Sequence, residues 1–370
     1  MRRSSIVLRG LILALLVLAV CGSVMAAQTK TKNIIFITAD GFRWEEVFRG
    51  AAEELSSKEG GGVADEAAFK AKYWRDTPQE RRKAVMPFLW TTIVEKGQIY
   101  GNRDLGSASR VENPYWFSYP GYSEMLCGYV DKEVNSNDLK NNPNVSVLEW
   151  LNRKPAFKDK VAAFGSWDAL PFILNRDRAG FVINGGLDPV TGKISERQYL
   201  LNALKTETVD LRPGAPPDSI MFYSALEYFK TNKPRVIYIM LGWTDVAAHR
   251  GRYDEYLKAA KLYDEYVRKI WETAQSMPEY KDTTTLIMTT DHGRGEVGKK
   301  WQDHWAGNSG SEKTWMAFMG PDTPALGERQ DIEEVTTSQL AATLAYLLGE
   351  NYNAAQPKAG KVIQDVVKGK

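Results

Sequence analysis

Three short apolar runs in this chain each end at an aspartate, and this repetition constrains the fold more than any other feature. The runs are NIIFITA before Asp40, RVIYIMLGWT before Asp245 and TTLIMTT before Asp291. Short β-branched runs bounded by turn residues are typical of buried strands. In an open parallel sheet, ligands gather outside the carboxyl ends of the strands. The sequence therefore predicts that these three carboxylates line one functional site.

Such runs predict five strands, which alternate with helical patterns. The predicted strands cover residues 33–39, 161–165, 235–241, 284–290 and 315–319. The clearest helix, YDEYLKAAKLYDEYVRKIWETAQ, repeats apolar residues every three to four positions. A second, TSQLAATLAYLLG, has Gly349 as its predicted C-cap. This alternation predicts an α/β fold with a largely parallel central sheet and helices on both faces.

The domain organisation follows from length and composition. The first 27 residues have the pattern of an export signal, in which arginines precede an apolar run and the small-residue stretch SVMAA follows it. The apolar core of about ten residues is shorter than the roughly 20 that span a bilayer, which disfavours a membrane anchor. Lipid attachment at Cys21 is an alternative, disfavoured because Val20 is bulkier than the usual preceding residue. We expect a periplasmic or secreted protein with one domain over residues 28–370 and insertions near 44–85 and 180–218.

Charge and cysteine content exclude several classes of partner. The chain has 48 basic and 46 acidic residues, and loss of the three leader arginines changes its net charge from +2 to −1. A surface without a basic surplus is poorly suited to a nucleic-acid polymer. Only Cys127 remains after the leader is removed, so no intrachain disulfide can form. The charge suits a small substrate, and the sequence does not define an oligomeric state.

All three histidines of the chain follow the strand-end aspartates. His249 comes four residues after Asp245, which places both side chains on one face if the segment is helical. His292 follows Asp291 directly, and His304 lies in the Gly-rich loop WQDHWAGNSG. Each residue alone is more often a cap or a structural side chain than a ligand. Together they form two sets of three nitrogen and oxygen ligands, which suit Zn²⁺ sites that keep positions open for water or substrate.

A serine in the loop NPYWFSYPGYSEMLCGYVDKEVNSND adds a candidate nucleophile. Ser118 stands two residues before Pro120 and ten before Gly128. This frame resembles the nucleophile segment of the alkaline phosphatase superfamily. The order of motifs along residues 33–349 is also similar to its nucleotide pyrophosphatase/phosphodiesterase and sulfatase-like branches. The matching motifs are Asp40, PFLWTTIVEKG, Ser118, the D-x-x-x-H-x-G that begins at Asp245, the DHG that begins at Asp291, His304 and the closing helix.

The resemblance implies an alkaline-phosphatase-like three-layer sandwich with two divalent metal ions, for which Zn²⁺ is the expected identity. The implied ligands are Asp245, His249 and His304 for one ion, and Asp40, Asp291 and His292 for the other, with Ser118 bridging towards the second. Asn137 lies near the position of a substrate-binding asparagine in phosphodiesterase relatives, although its spacing is two residues short. Asn135 is the alternative for that role.

The implied activity is hydrolysis of a phosphate monoester or small diester. The oxygen of Ser118 would attack phosphorus to give a phosphoseryl intermediate that water hydrolyses, with both metals assisting. Sulfatase activity is the nearest alternative. Relatives that cleave sulfate esters generally need formylglycine, formed where an arginine follows in the position that Tyr122 holds here.

Three other readings of the sequence are disfavoured. Predicted export argues against a phosphomutase of central metabolism. A non-catalytic, metal-binding envelope protein would not need a placed Ser118. Tryptophans near the motifs could stack on an aromatic leaving group, but packing is the favoured interpretation for each; they are Trp116, Trp167 and Trp243.

Overall fold

The structure is a computed structural model that describes residues 29–208, 214–296 and 298–367. The predicted export signal and Cys21 lie outside the described residues. Within the described ranges, no helix has both the length and the apolar character needed to cross a membrane.

A large central sheet organises the molecule. The strands, in chain order, are β1 Asn33–Ala39, β2 Gln98–Tyr100, β3 Ser109–Arg110, β4 Val161–Gly165, β5 Val182–Gly185, β6 Val236–Leu241, β7 Thr284–Thr289, β8 Met316–Met319, β9 Gly327–Glu328 and β10 Val335–Thr336. Eight of them form the sheet, in the order β5-β4-β6-β1-β7-β8-β2-β9. Strand β1 pairs in parallel with both β6 and β7, whereas β8 is antiparallel to β7 and β2. Strands β3 and β10 form a separate parallel pair.

Helices cover both faces of this sheet. They are α1 Trp44–Arg49, α2 Lys58–Gly61, α3 Glu66–Tyr73, α4 Pro78–Val85, α5 Val94–Lys96, α6 Ser118–Cys127, α7 Val147–Asn152, α8 Leu170–Ile173, α9 Arg176–Ala179, α10 Glu196–Glu207, α11 Asp218–Asn232, α12 Trp243–His249, α13 Tyr253–Ser276, α14 Gln339–Leu347, α15 Tyr352–Ala355 and α16 Gln364–Val367. A π-helical turn at Leu89–Ile93 and 3₁₀ turns at Arg103–Leu105 and Gly298–Gln302 complete the set.

The core lies in two layers, one on each side of the sheet. In β1, Ile35 and Ile37 point into one apolar cluster, and Ile34 and Phe36 point into the other. The first cluster packs against α11 and α13, and the second against α6 and α14. Because both faces are covered, all seven residues of β1 are buried, as expected for a parallel strand inside a three-layer structure. The predicted α/β three-layer sandwich is confirmed.

The long predicted elements match the structure closely. The five predicted strands are present, with ends that differ by no more than one residue. Helix α13 extends one residue beyond its predicted end. Helix α14 ends two residues before Gly349, which adopts a left-handed φ of 79° and so allows the chain to turn away. The 44–85 segment forms four helices, and its Phe69 and Tyr73 are buried in the first core cluster.

Candidate metal centre and nucleophile

The sheet brings the predicted ligands to one edge. Strands β6, β1 and β7 are neighbours, and their carboxyl ends lie side by side because all three are parallel. Asp40 follows β1, Asp245 lies in α12 directly after β6, and Asp291 follows β7. Two groups of side chains there could each hold a metal ion. One contains Asp40, Asp291 and His292, and the other contains Asp245, His292 and His304.

The first of these groups surrounds the predicted nucleophile. The Nε2 atom of His292 lies 3.4 Å from Asp40 Oδ1 and 3.3 Å from Asp291 Oδ2. The Oγ atom of Ser118 lies 3.2 Å from the same His292 nitrogen and 3.3 Å from Asp40 Oδ1. One serine oxygen therefore lies beside two atoms that could coordinate the same cation.

The predicted set of Asp245, His249 and His304 converges on one carboxylate oxygen, although the second group contains His292 in place of His249. The Nε2 atoms of His249 and His304 lie 3.2 Å and 3.3 Å from Asp245 Oδ1. The two nitrogens are 3.1 Å from each other. The predicted set of Asp245, His249 and His304 is thus brought together. His292 lies between the two sets, since its ring stacks on His304 with centroids 3.9 Å apart.

Hydrogen-bond acceptors near the Nδ1 atoms favour the tautomer that a metal site needs. Nδ1 of His292 lies 2.7 Å from the carbonyl oxygen of Gly293, and Nδ1 of His304 lies 3.3 Å from that of Trp116. A proton on Nδ1 that is donated to a carbonyl leaves the Nε2 lone pair free for a cation. In both histidines the Nε2 atom lies on the side of the carboxylates, where a cation could take the place of a proton.

The charges of the site also fit a cation. Burial and the neighbouring Asp40 raise the pKa of Asp291 well above its usual range. Burial alone would lower the pKa of His292, but Asp291 and Asp40 outweigh it and raise that pKa to about 9. The Oδ2 atom of Asp291 is buried and, among the described residues, has no hydrogen-bond partner. A bound divalent cation would satisfy this oxygen, so the donor set fits the expected metal.

Helix α6 positions the nucleophile. Ser118 is its first residue, and Phe117 before it is extended, with φ −144° and ψ 174°. The helix ends at Gly128 in a left-handed conformation, so the Ser-to-Gly spacing in the sequence spans one helix. Asn137 lies next to this N-terminus, because its Oδ1 atom accepts a hydrogen bond of 2.9 Å from the backbone N–H of Tyr119. Asn137 and the alternative, Asn135, are both exposed, and the contact with Tyr119 is what distinguishes Asn137.

Two charged residues of the site, Arg294 and Asp303, are not predicted from the sequence. Arg294 is fully buried, and its Nη1 donates to Asp245 Oδ1 while its Nη2 lies 3.3 Å from Nδ1 of His249. This guanidinium lowers the pKa of Asp245 well below its usual range, although burial alone would raise it. Asp303 Oδ1 lies 3.5 Å from Nδ1 of His249. A basic residue directly after the DHG triplet, and an acid directly before His304, were the available signals.

Tyr122 contacts Asp40, which lies beside the predicted nucleophile. Its buried hydroxyl donates a hydrogen bond of 3.1 Å to Asp40 Oδ2. Because Oδ2 is engaged in this way, Oδ1 of Asp40 is the atom that faces Ser118. In the sequence, Tyr122 indicates only that formylglycine is disfavoured, and its contact with Asp40 is visible only in the structure.

The three tryptophans near the motifs have different environments. Trp167 is buried in the second core cluster, in line with packing. The indole of half-buried Trp243 donates a 3.3 Å hydrogen bond to the carbonyl of Pro216. Trp116 has a positive φ of 58°, a strained conformation for a bulky residue, and its carbonyl faces His304.

Several solved structures share this fold at low sequence identity. Alkaline phosphatase PafA superposes with a TM-score of 0.57 and 11% identity, covering 92% of this chain and 99% of that one. The lipoteichoic acid synthase LtaP from Listeria monocytogenes gives 0.53 and 11%, covering 88% and 74%. A 2-O GAG sulfatase gives 0.52 and 14%, covering 92% and 75%. Identities this low show a shared fold only. No curated protein sequence matches the chain significantly.

The chain has the alkaline phosphatase architecture, and its family match defines the class of protein as a hydrolase. Residues 65–367 match the family described as type I phosphodiesterase / nucleotide pyrophosphatase. The chain belongs to this family. Asp40 precedes the matched span, so its place in the site rests on the geometry of the strand ends.

Proposed function

We propose that this protein is an exported hydrolase of small phosphate esters, either monoesters or small diesters. Its nucleophile is Ser118 and its cofactors are two Zn²⁺ ions. The observation that carries the proposal is the position of Ser118 Oγ, 3.3 Å from Asp40 Oδ1 and 3.2 Å from His292 Nε2 at the start of a helix. A serine that served only to pack the loop would not need to lie among buried side chains that can coordinate a metal ion.

The first ion is assigned to Asp245, His249 and His304, and the second to Asp40, Asp291 and His292 with Ser118. Divalent ions held there would lower the pKa of a coordinated hydroxyl and offset the charge of the phosphoryl oxygens. The N-terminus of α6 adds a positive field at the serine oxygen. Tyr122 holds Asp40 so that Oδ1 faces that oxygen.

Asn137 is the proposed contact to the substrate. Its Oδ1 is engaged by the N–H of Tyr119, so Nδ2 is the atom that can donate a hydrogen bond to a non-bridging phosphoryl oxygen. The same contact keeps Asn137 beside the nucleophile. Replacement of Asn137 by alanine would therefore remove one donor without changing the metal ligands.

Sulfate esters are the alternative substrate class, since the fold is shared with a sulfatase. The position that holds an arginine in the formylglycine motif is here a buried tyrosine bonded to Asp40. An unmodified serine would form a sulfoseryl ester with no easy route to hydrolysis, whereas water can attack a phosphoseryl ester. This chemistry favours phosphate.

A panel of three substrates tests the substrate class. Aryl phosphate, bis-aryl phosphate and aryl sulfate would be compared at equal concentration with Zn²⁺-loaded protein. We expect both phosphates to give a higher kcat/KM than the sulfate. The highest kcat/KM for aryl sulfate would replace this proposal with sulfatase activity.

A Ser118→Ala variant tests the nucleophile. We expect kcat to fall by several orders of magnitude while elemental analysis still finds close to two zinc ions per chain, because the other ligands remain. Ser276→Ala, at the solvent-exposed end of α13, is the control and should keep native activity. If Ser118→Ala retained more than about a tenth of the activity, about 1.4 kcal/mol of transition-state stabilisation, another group would be the nucleophile.

A further inference from the structure

Helix α10 faces the protein interior with polar side chains and faces solvent with apolar ones, which is the opposite of the usual arrangement in a surface helix. Its inward side carries Gln198, Asn202 and Lys205, which are spaced four and three residues apart and so share one face. Gln198 is 2% exposed and Lys205 is fully buried. A helix on the surface of a globular protein normally turns its apolar side to the core and its polar side to water.

Polar contacts hold the inward side in place. The Nζ atom of Lys205 donates to Oδ1 of Asn184 and, at 3.1 Å, to the carbonyl oxygen of Asp188. The side chain of Asn202 accepts from the N–H of Val190 at 2.9 Å and donates to its carbonyl at 2.8 Å. Rotation of the helix about its axis would break these bonds, so the outward side is fixed as well.

The outward side is apolar and exposed. Tyr199, Leu200 and Leu204 are 72%, 60% and 40% exposed, and Ala203 lies between them. Together the three large side chains expose on the order of 400 Å² in each copy of the chain. A contiguous apolar patch of this size on a soluble protein commonly marks an interaction site.

We propose that α10 pairs with α10 of a second copy of this chain, antiparallel and about a two-fold axis. With the axis at Asn202, Leu200 of each copy meets Leu204 of the other. The same register places Arg197 opposite Glu207 of the second copy, twice by symmetry. Both charged residues are exposed, and within the described part of the chain neither has an ion-pair partner. A symmetric pair therefore covers the apolar patch and neutralises the charges at its ends.

The composition of the helix favours a second copy over a membrane surface. Helices that lie on membranes carry many lysines and arginines on their polar side. Here the exposed charges are Glu196, Arg197 and Glu207, which offer no basic excess to anionic lipid. The patch is at the small end of specific interfaces, so the dimer should be weak and should depend on protein concentration.

Sedimentation velocity of the metal-loaded protein, across a series from ~1 to ~200 μM, tests this pairing. We expect a reversible monomer–dimer equilibrium for the native chain and a monomer throughout for Leu200→Asp. Leu326→Asp is the matched control, since Leu326 is 47% exposed but lies outside α10, and it should dimerise like the native chain. Circular dichroism would verify that each variant is folded.

A charge exchange tests the register and does not depend on the apolar variant. Arg197→Glu should weaken the dimer at least tenfold at low salt, and Arg197→Glu combined with Glu207→Arg should restore it. Failure of the double variant to recover, or a native chain that stays monomeric at every concentration, would overturn the proposal. The patch would be assigned to lipid instead if the native chain did not self-associate but bound phosphatidylglycerol vesicles, and if Leu200→Asp abolished that binding. These outcomes are independent of the hydrolytic activity, because α10 carries no residue of the proposed site.

Discussion

At the scale of single residues, Gly41 leaves no room for a side chain between the residues of the candidate site. It follows Asp40, has a φ of 56° and lies where the two ligand sets meet. A β-carbon there would lie 2.7 Å from Arg294 Nη1, 3.0 Å from His292 Cε1 and 3.1 Å from Asp245 Oδ1. A glycine is therefore needed both for the backbone and for the space between the ligands.

We expect Gly41→Ala to disturb metal binding as well as stability. The strain of a left-handed alanine costs roughly 1–2 kcal/mol, and the close contacts would displace His292 and Asp245 in addition. The control is Gly192→Ala, because Gly192 also has a positive φ, 84°, but nothing lies within 4 Å of its would-be β-carbon. Elemental analysis and chemical unfolding would separate the two effects. Native zinc content and activity in Gly41→Ala would contradict this reading of the site.

That the proposed ligands lie close together could be predicted from the sequence, because each stands at the end of a recognisable strand or in a short motif beside one. Arg294 and Asp303 could not be predicted in the same way. Their contacts with Asp245 and His249 exist only because the segment after β7 folds back over α12. No periodicity or spacing in that segment indicates such a return.

At the scale of elements, the length of a strand determines whether it can be predicted from the sequence. The parallel strands at the centre of the sheet have four to seven residues with a clear apolar pattern, and all but β5 were predicted. Strands β2 and β9 have three and two residues, too few for a pattern to emerge. The antiparallel direction of β8 depends on how the 298–315 segment returns to the sheet, which local sequence does not encode.

The buried Lys205 of helix α10 should make the stability of the protein depend on pH. Burial lowers the pKa of Lys205 to about 8, against 10.5 for the free side chain. Between these two values the unfolded chain holds a proton that the folded chain has released, so stability rises with pH. Below pH 8 both states are protonated, and the cost of burying the charge is present in full.

The expected gain from pH 7.5 to 9.5 is about 2 kcal/mol for this group alone. Urea unfolding of the native chain and of Lys205→Met at both pH values would isolate it, because other titrating groups contribute equally to both proteins. We subtract the unfolding free energy of Lys205→Met from that of the native chain at each pH. This difference should be about 2 kcal/mol larger at pH 9.5 than at pH 7.5. A difference that does not vary with pH would show that the Lys205 amine titrates normally.

At the scale of the whole molecule, metal loading should contribute to stability. Three buried carboxylates, on Asp40, Asp245 and Asp291, lie within one site, and removal of a cation leaves their repulsion and desolvation uncompensated. We expect a strong chelator to lower Tm by several degrees and to abolish hydrolysis. A free zinc concentration about 100 times the Kd would restore about 2.7 kcal/mol of stability.

The Tm shift should also grow as the pH rises. Burial and Asp40 raise the pKa of Asp291, so protons compete with a cation for this carboxyl, and that competition weakens as the pH rises. Differential scanning calorimetry at two pH values, with chelator or with zinc, would measure the shift. Magnesium in place of zinc is the control for a non-specific ionic effect. Identical unfolding with chelator and with zinc would contradict the metal assignment.

The order of strands in the sheet also governs when the site can form. Strand β1 is the first to be synthesised, yet both of its neighbours, β6 and β7, begin about 200 or more residues later. The proposed ligands are spread from Asp40 to His304, so no early fragment of the chain contains a complete set. Pairings this distant form late in folding. The proposed centre can therefore be complete only after His304 has been synthesised, so a metal ion could bind all of its ligands only late in synthesis or after it.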